Sequence, residues 1–248
     1  MPSRDTLFTC VNWNIHRARG HDGVVDPDRI ARVLHQEVWQ PDVDAVVLQE
    51  ADEEAPPHCG LLDIARVEAD TGLRHVQSSV VHRWGRECHG FLGIVMFLHP
   101  DATIQSIDLL DLPGHCHRGA VVVDFERGGR PLRLIGAHLS LSQALRIVQM
   151  RTIGQHMFRR DDRMSILCGD LNEWRPWGGL AFSRRLTAVE LVSGQVQGTF
   201  PARWPVLPLD RVLVTPPAKI TRTEVLDGKG IRVASDHRPV RAEVSLPG

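Results

Sequence analysis

The chain has 248 residues, 42% of them hydrophobic, with 29 basic and 30 acidic side chains for a formal net charge of −1. That supply of apolar residues is ample for a packed core in one large domain or two small ones, and it excludes a disordered or fibrous chain. The balanced charge excludes a global attraction to a polyanion and leaves only local basic patches.

Five cysteines, Cys10, Cys59, Cys88, Cys116 and Cys168, are scattered without a Cys-x-x-Cys pair, as expected of reduced thiols. The segment "MPSRDTLFTCVNWNIH" lacks the apolar run of a signal peptide. The longest apolar stretch, "FLGIVMFL" at 91–98, is too short to span a bilayer. A cytoplasmic protein with no transmembrane segment is expected.

In chain order, strand and helix signals alternate without linker, repeat or low-complexity tract, which predicts a single domain over residues 1–248. "FTCVNWNI" reads as a strand. "DPDRIARVLHQEVW" reads as a helix with Asp26 as N-cap, Pro27 at its first position and Ile30, Val33, Leu34 and Val38 on one face. "VDAVVLQE" is a second buried strand, and "GLLDIARVEADTG" a helix closed by Gly72. "GFLGIVMFLHP" and "DATIQSIDLL" read as successive strands, and residues 118–139 as a hairpin turning at Gly128-Gly129. A helix follows from Ser142 to about Phe158. Then "RMSIL" leads as a strand into "CGDLNEW", where Gly169 lets the backbone approach a partner closely and Asp170 and Asn172 share a side. Residues 173–208 read mostly as loop, and "LDRVLVT", "AKITRTEVL" and "HRPVRAEVSL" as closing strands whose succession implies antiparallel pairing and a mixed sheet.

Polar residues fall at the ends of these strands: Asn14, Glu50, His138, Asp170 with Asn172, Asp210, and Asp236-His237. Six strand termini thus offer groups able to bind a cation, move a proton or contact a phosphate, and strand ends are where α/β proteins place their sites. Hydrolysis of a phosphate ester adds water to an anion. It needs a cation, a base for the water and support for the leaving alkoxide. Carboxylates, an amide and histidines of the kind found at these strand ends are groups able to meet those needs. "HCH" at 115–117 is too tightly spaced to wrap one tetrahedral zinc ion, and reads as a loop leading into Arg118. Trp174 and Trp177 are expected to pack against the body, with a lid over the site as the alternative.

Seven segments in order, "WNIH", "LQE", "RGA", "GAHLSLS" with Arg146 and Gln149 behind it, "GDLNEW", "LDRVLV" and "SDHRPV", resemble the endonuclease/exonuclease/phosphatase superfamily with the deoxyribonuclease I-like fold. The resemblance implies a four-layer α/β sandwich of two mixed sheets with a divalent-metal phosphoesterase site at one edge. It implies Glu50 as principal ligand of Mg²⁺, or of Mn²⁺, with Asn14 and Asp236 assisting. It also implies Asp170 as the group that orients or deprotonates water, and Asn172 as a phosphate contact. His237 would bind the scissile phosphate and assist proton transfer, with Asp210 orienting it. His138 would be a second active-site histidine, and Arg118 a contact to developing negative charge.

His16 in "WNIH" and His138 in "AHL" depart from abasic-site nucleases and are similar to a bacterial phosphodiesterase branch that includes sphingomyelinase-like proteins. Phe91, where relatives often carry a polar residue, alters one wall of the pocket. The leading expectation is a phosphodiesterase or phosphatase acting on a lipid headgroup or small phosphate ester, with no obligate protein partner. The alternatives are a DNA or RNA nuclease using the same residues, and a catalytically silent binding protein on this fold.

Overall fold

A computed structural model describes residues 6–114 and 118–247, so the "HCH" segment lies outside the described residues. Two six-stranded mixed sheets pack face to face between helices, the expected four-layer arrangement. The first sheet holds β1 (Leu7–Asn14), β2 (Ala45–Gln49), β3 (Arg74–His75), β4 (Val95–Leu98), β11 (Lys219–Val225) and β12 (Val240–Ser245), in the order β11-β12-β1-β2-β4-β3. The second holds β5 (Thr103–Asp111), β6 (Gly119–Arg127), β7 (Arg130–His138), β8 (Met164–Asp170), β9 (Val192–Ser193) and β10 (Asp210–Val214), in the order β5-β6-β7-β8-β10-β9. Each sheet has one parallel pair near its middle, β1 with β2 and β7 with β8.

Three apolar layers follow from the alternation of side chains along these strands. Between the sheets lie Phe8, Cys10, Val47, Phe125, Leu134, Ile166 and Cys168. Outside the first sheet, Val11, Trp13 and Leu48 meet α1 (Pro27–Val33) and α2 (Ile64–Thr71), and the expected face Ile30, Val33, Leu34 and Val38 is buried. Outside the second, Ile135 and Leu167 meet Met150 and Ile153 of α3 (Gln143–Phe158). Along β8, Gly169 is obligatory for a steric reason: a Cβ there would lie 1.9 Å from the Ala137 carbonyl oxygen.

Several boundaries differ from the sequence reading. The first helix changes to a wider π turn over Leu34–Val38, where the Glu37 carboxylate accepts from the Gly230 and Ile231 N–H groups. The helix expected from Gly60 starts at Ile64, because the Asp63 side chain caps the Arg66 N–H at 3.1 Å. The strand expected over 90–100 shrinks to β4, since Phe91 and Ile94 close a tight turn on each other. The loop-like region contains α4 (Arg184–Thr187) and β9, and α5 (Ile231–Ala234) precedes the last strand. The hairpin turn at Gly128-Gly129 forms as expected, with φ of +57° and +73°. Cys10, Cys59, Cys88 and Cys168 are free thiols. Among the described residues no helix is long and apolar enough to cross a membrane.

Candidate active site

The inward faces of the central strands are apolar for most of their length and become polar at one shared edge. On β1 the inward row runs Phe8, Cys10, Asn12, Asn14; on β8 it runs Ile166, Cys168, Asp170. Register then aligns the polar ends, because His138 pairs with Asp170 across β7 and β8, and Asp170 with Asp210 across β8 and β10. Residues in register point to the same face, so these three side chains meet.

Asp170 is the hub. Its carboxylate accepts from Asn14 Nδ2 at 3.0 Å and from the Asn172 N–H at 3.1 Å, with His138 Nε2 at 3.4 Å and His237 Nε2 at 3.8 Å. Burial pushes its pKa up to about 6, with His237 opposing that shift and Asp210 adding to it. His237 Nδ1 lies 2.7 Å from Asp210 Oδ2. Burial disfavours the imidazolium, but Asp210 and Asp170 more than offset it and raise the His237 pKa to about 10. His138 moves the other way: burial, then the charges of Arg118, His237 and Arg17, hold it well below the usual histidine range. Arg118 Nη1 sits 3.3 Å from His138 Nδ1. With the imidazole neutral, Nδ1 accepts there and Nε2–H is left to donate towards Asp170.

Glu50 follows Gln49, whose side chain faces inward to Asn12 at 2.8 Å, so strict alternation would turn Glu50 outward. Its backbone instead adopts φ +54°, a left-handed conformation costing about 1–3 kcal/mol in a non-glycine residue. That bend returns the carboxylate to the edge, where Asn14 Nδ2 reaches Oε1 at 3.3 Å and Arg17 Nη1 reaches Oε2 at 2.8 Å. Arg17 lies in a run of three left-handed residues, His16, Arg17 and Ala18, tied to the end of β2 by the Arg17 N–H to Glu50 oxygen bond of 3.1 Å.

Other sequence candidates occupy different roles in the geometry. Asn14 gives its Nδ2 to both carboxylates while Oδ1 accepts from the His16 N–H, so here it spaces Glu50 from Asp170. Asn172 gives Nδ2 to the Leu139 carbonyl, leaving Oδ1 for other partners. Asp236 stands at the margin, 3.5 Å from His16 Nδ1 and 4.0 Å from His237 Nε2. Glu173, the remaining acid of "GDLNEW", is fully buried in ion pairs with Arg146 and Arg175 and shapes the loop. Arg146 and Gln149 of the matching motif brace residues 140 and 141 from α3. Trp174 and Trp177, expected to pack inward, are 54% and 75% exposed.

The sequence reading missed Thr199. Its hydroxyl donates to Asp210 Oδ2 at 2.7 Å, and the next residue, Phe200, lays its ring 4.9 Å from that of His237. A threonine inside a proline- and glycine-rich loop carries no signal of this role. The backbone on the other side is fixed by Trp13, whose Nε1 donates to the His237 carbonyl at 3.0 Å.

The donor set suits a hard divalent cation. Glu50 Oε2 is buried with the Arg17 guanidinium 2.8 Å away, and the Asp170 carboxylate lies just across Asn14. Among the described residues, Asp170, Asp210 and His237 also bring ligand-type atoms within 4.8 Å of one another. Asp210 Oδ2, however, is already engaged by the His237 ring and the Thr199 hydroxyl, which places Asp210 behind His237 as its partner.

The family model described as "Endonuclease/Exonuclease/phosphatase family" matches residues 11–237. The uncharacterized protein YbhP of Escherichia coli strain K12 is 29% identical over 122 residues, 48% of this chain and 48% of that protein. The match therefore spans about half the length of this curated relative. By structure, D. rerio TDP2 complexed with single-strand DNA product has a TM-score of 0.71 at 16% identity, covering 97% of this chain and 100% of that one. The mannosyl-6-phosphatase Bt3783 of Bacteroides thetaiotaomicron has a TM-score of 0.70 at 18% identity, covering 96% and 100%. At these identities the structural likenesses establish the shared fold.

Proposed function

The chain belongs to the endonuclease/exonuclease/phosphatase family, and from that premise we propose that it is a divalent-metal-dependent phosphoesterase acting on a small phosphate ester or lipid headgroup. The observation that carries the reading is the pairing, at one sheet edge, of a buried His237–Asp210 dyad with Asp170 and Glu50 within hydrogen-bonding and ion-pair distances.

In this reading Asp170, with its raised pKa, orients a water and takes its proton as the water adds to phosphorus. His237, held as an imidazolium by Asp210, donates to a phosphate oxygen or to the departing alkoxide. Neutral His138 presents Nε2–H, Arg118 offsets charge developing on the phosphate oxygens, and Asn172 contacts the phosphate through the second hydrogen of Nδ2. Glu50, with Asn14 beside it and Asp236 at the margin, would hold Mg²⁺ or Mn²⁺, which when bound supplies neutralisation of the phosphate charge.

The test is hydrolysis by purified protein, with Mg²⁺ or with EDTA, of phosphomonoesters, phosphodiesters, phospholipids and single- and double-stranded DNA. Metal-dependent turnover of small esters or lipids, lost in Asp170→Asn and His237→Ala, is the expected result. Preferential cutting of DNA would replace it with the nuclease reading, for which the fold shared with a DNA-bound protein is the supporting observation. A folded protein inert on every substrate would favour a silent scaffold.

A further inference from the structure

A cleft of about 100 Å³ opens directly from the reaction centre. This is small beside the roughly 300–1,000 Å³ of drug-sized ligand sites, so its occupant is compact. The cleft is polarised along its length. Its lining includes Arg17, Arg118, Glu50 and His138, which belong to the site or contact it and form the inner end, and Trp84, Glu53 and Glu54, which are exposed and with His58 form the outer part. The inner arginines suit phosphate oxygens. The outer wall combines an aromatic ring with carboxylate acceptors.

This outer wall is built from two segments locked to each other. The buried Asp52 carboxylate accepts from the His89 N–H at 2.9 Å and the Gly90 N–H at 3.1 Å, tying the segment that carries Glu53 and Glu54 to the one that carries Trp84. Trp84 in turn packs edge-on against Phe91 at 5.7 Å, and its backbone N–H donates to the Gly90 carbonyl at 2.9 Å. Glu54 is steadied by Arg17 at 3.5 Å, whereas among the described residues no side chain pairs with the Glu53 carboxylate. The ring wall is therefore preorganised, with one acceptor open.

Resting on the phosphoesterase reading, we propose that the outer half of this cleft selects the alcohol portion of the ester, and that it takes a compact substituent bearing hydrogen-bond donors, hydroxyl or ammonium. Carboxylates accept from such donors, and the Trp84 face covers the carbon skeleton or a cationic group. The same carboxylates repel a further phosphate at that position, which disfavours a polynucleotide threaded through the cleft.

The test measures binding without turnover, by calorimetry on the Asp170→Asn protein with Mg²⁺. The probes are glycerol 3-phosphate, propyl phosphate as its donorless counterpart, phosphoethanolamine, phosphocholine and a short single-stranded oligonucleotide. One of the two donor-bearing esters is expected to bind about tenfold tighter than its donorless counterpart, the effect of one or two good hydrogen bonds. The glycerol and ethanolamine arms separate hydroxyl from ammonium. Adding Glu53→Ala, at an exposed position, is expected to shrink that preference to about twofold or less, with a smaller effect on propyl phosphate. Equal binding of glycerol 3-phosphate and propyl phosphate together with equal binding of phosphoethanolamine and phosphocholine, a preference untouched by Glu53→Ala, or tightest binding of the oligonucleotide would each overturn the inference. Tight binding of the donor-bearing ester to wild-type protein that hydrolyses neither that monoester nor the corresponding diesters would instead overturn the phosphoesterase reading and leave this one standing.

Discussion

Two histidines flank Asp170 from opposite walls of the site, each nearly buried, with 3% of the His138 side chain exposed and 7% of the His237 side chain. They reach opposite charge states. His237 has a carboxylate 2.7 Å from Nδ1 and is held charged, whereas His138 has a guanidinium 3.3 Å from Nδ1 and is held neutral. Burial alone pushes both rings towards neutrality, so the group behind each ring decides the difference. The result is one strong cationic donor and one neutral ring beside the same carboxylate. That division suits a reaction in which one group gives a proton while another receives one.

The comparison can be broken most forcefully by deleting the charged ring. His237→Ala is expected to lower kcat by about 10²–10⁴-fold, the range for loss of a general acid, measured by steady-state kinetics on any ester that proves to be a substrate. Asp210→Asn makes the His237 wall resemble the His138 wall, and a loss of about 10²-fold is expected. It also has a pH signature. A folded-state pKa of about 10 contributes stability that is fully present below pH 6.5 and is lost as pH rises through about 10. Chemical denaturation from pH 6.5 to 10 should therefore show a decline in the wild type that Asp210→Asn flattens, and NMR titration should place His237 far lower in the variant.

The opposite wall is softened by Arg118→Gln. Removing that cation should raise the His138 pKa, read by NMR, while burial still keeps it below an exposed histidine, and activity should fall by roughly tenfold. The smallest expected effect belongs to Thr199→Val, which keeps shape but takes one donor from Asp210 Oδ2. A few-fold loss of kcat with a shifted His237 pKa, both restored by Thr199→Ser, would identify a positioning role. A loss of stability with an unmoved His237 titration would show mere packing.

Much of this was legible in residue order. Alternation predicts that Asn14, Asp170 and Asp210 lie at strand ends, and the apolar runs before them predict two buried sheet faces. Glu50 was legible as a strand terminus, but not the left-handed turn that brings its carboxylate back to the inward edge. Arg17 was not legible, because its place over Glu50 depends on three successive left-handed residues in a stretch free of glycine. Glu173, three residues beyond Asp170, is consumed by two arginines, one of them from α3, which no local pattern signals.

The sequence by itself determined the polarity gradient along each strand, since side chains two apart share a face and the order Phe8, Cys10, Asn12, Asn14 already runs from apolar to polar. Only the tertiary structure decided what each polar group meets. His237 finds Asp210 across 27 residues of chain and His138 finds Arg118 across 20. The charge of a buried group depends on neighbours about 3 Å away through space, and that distance is set by sheet register and packing.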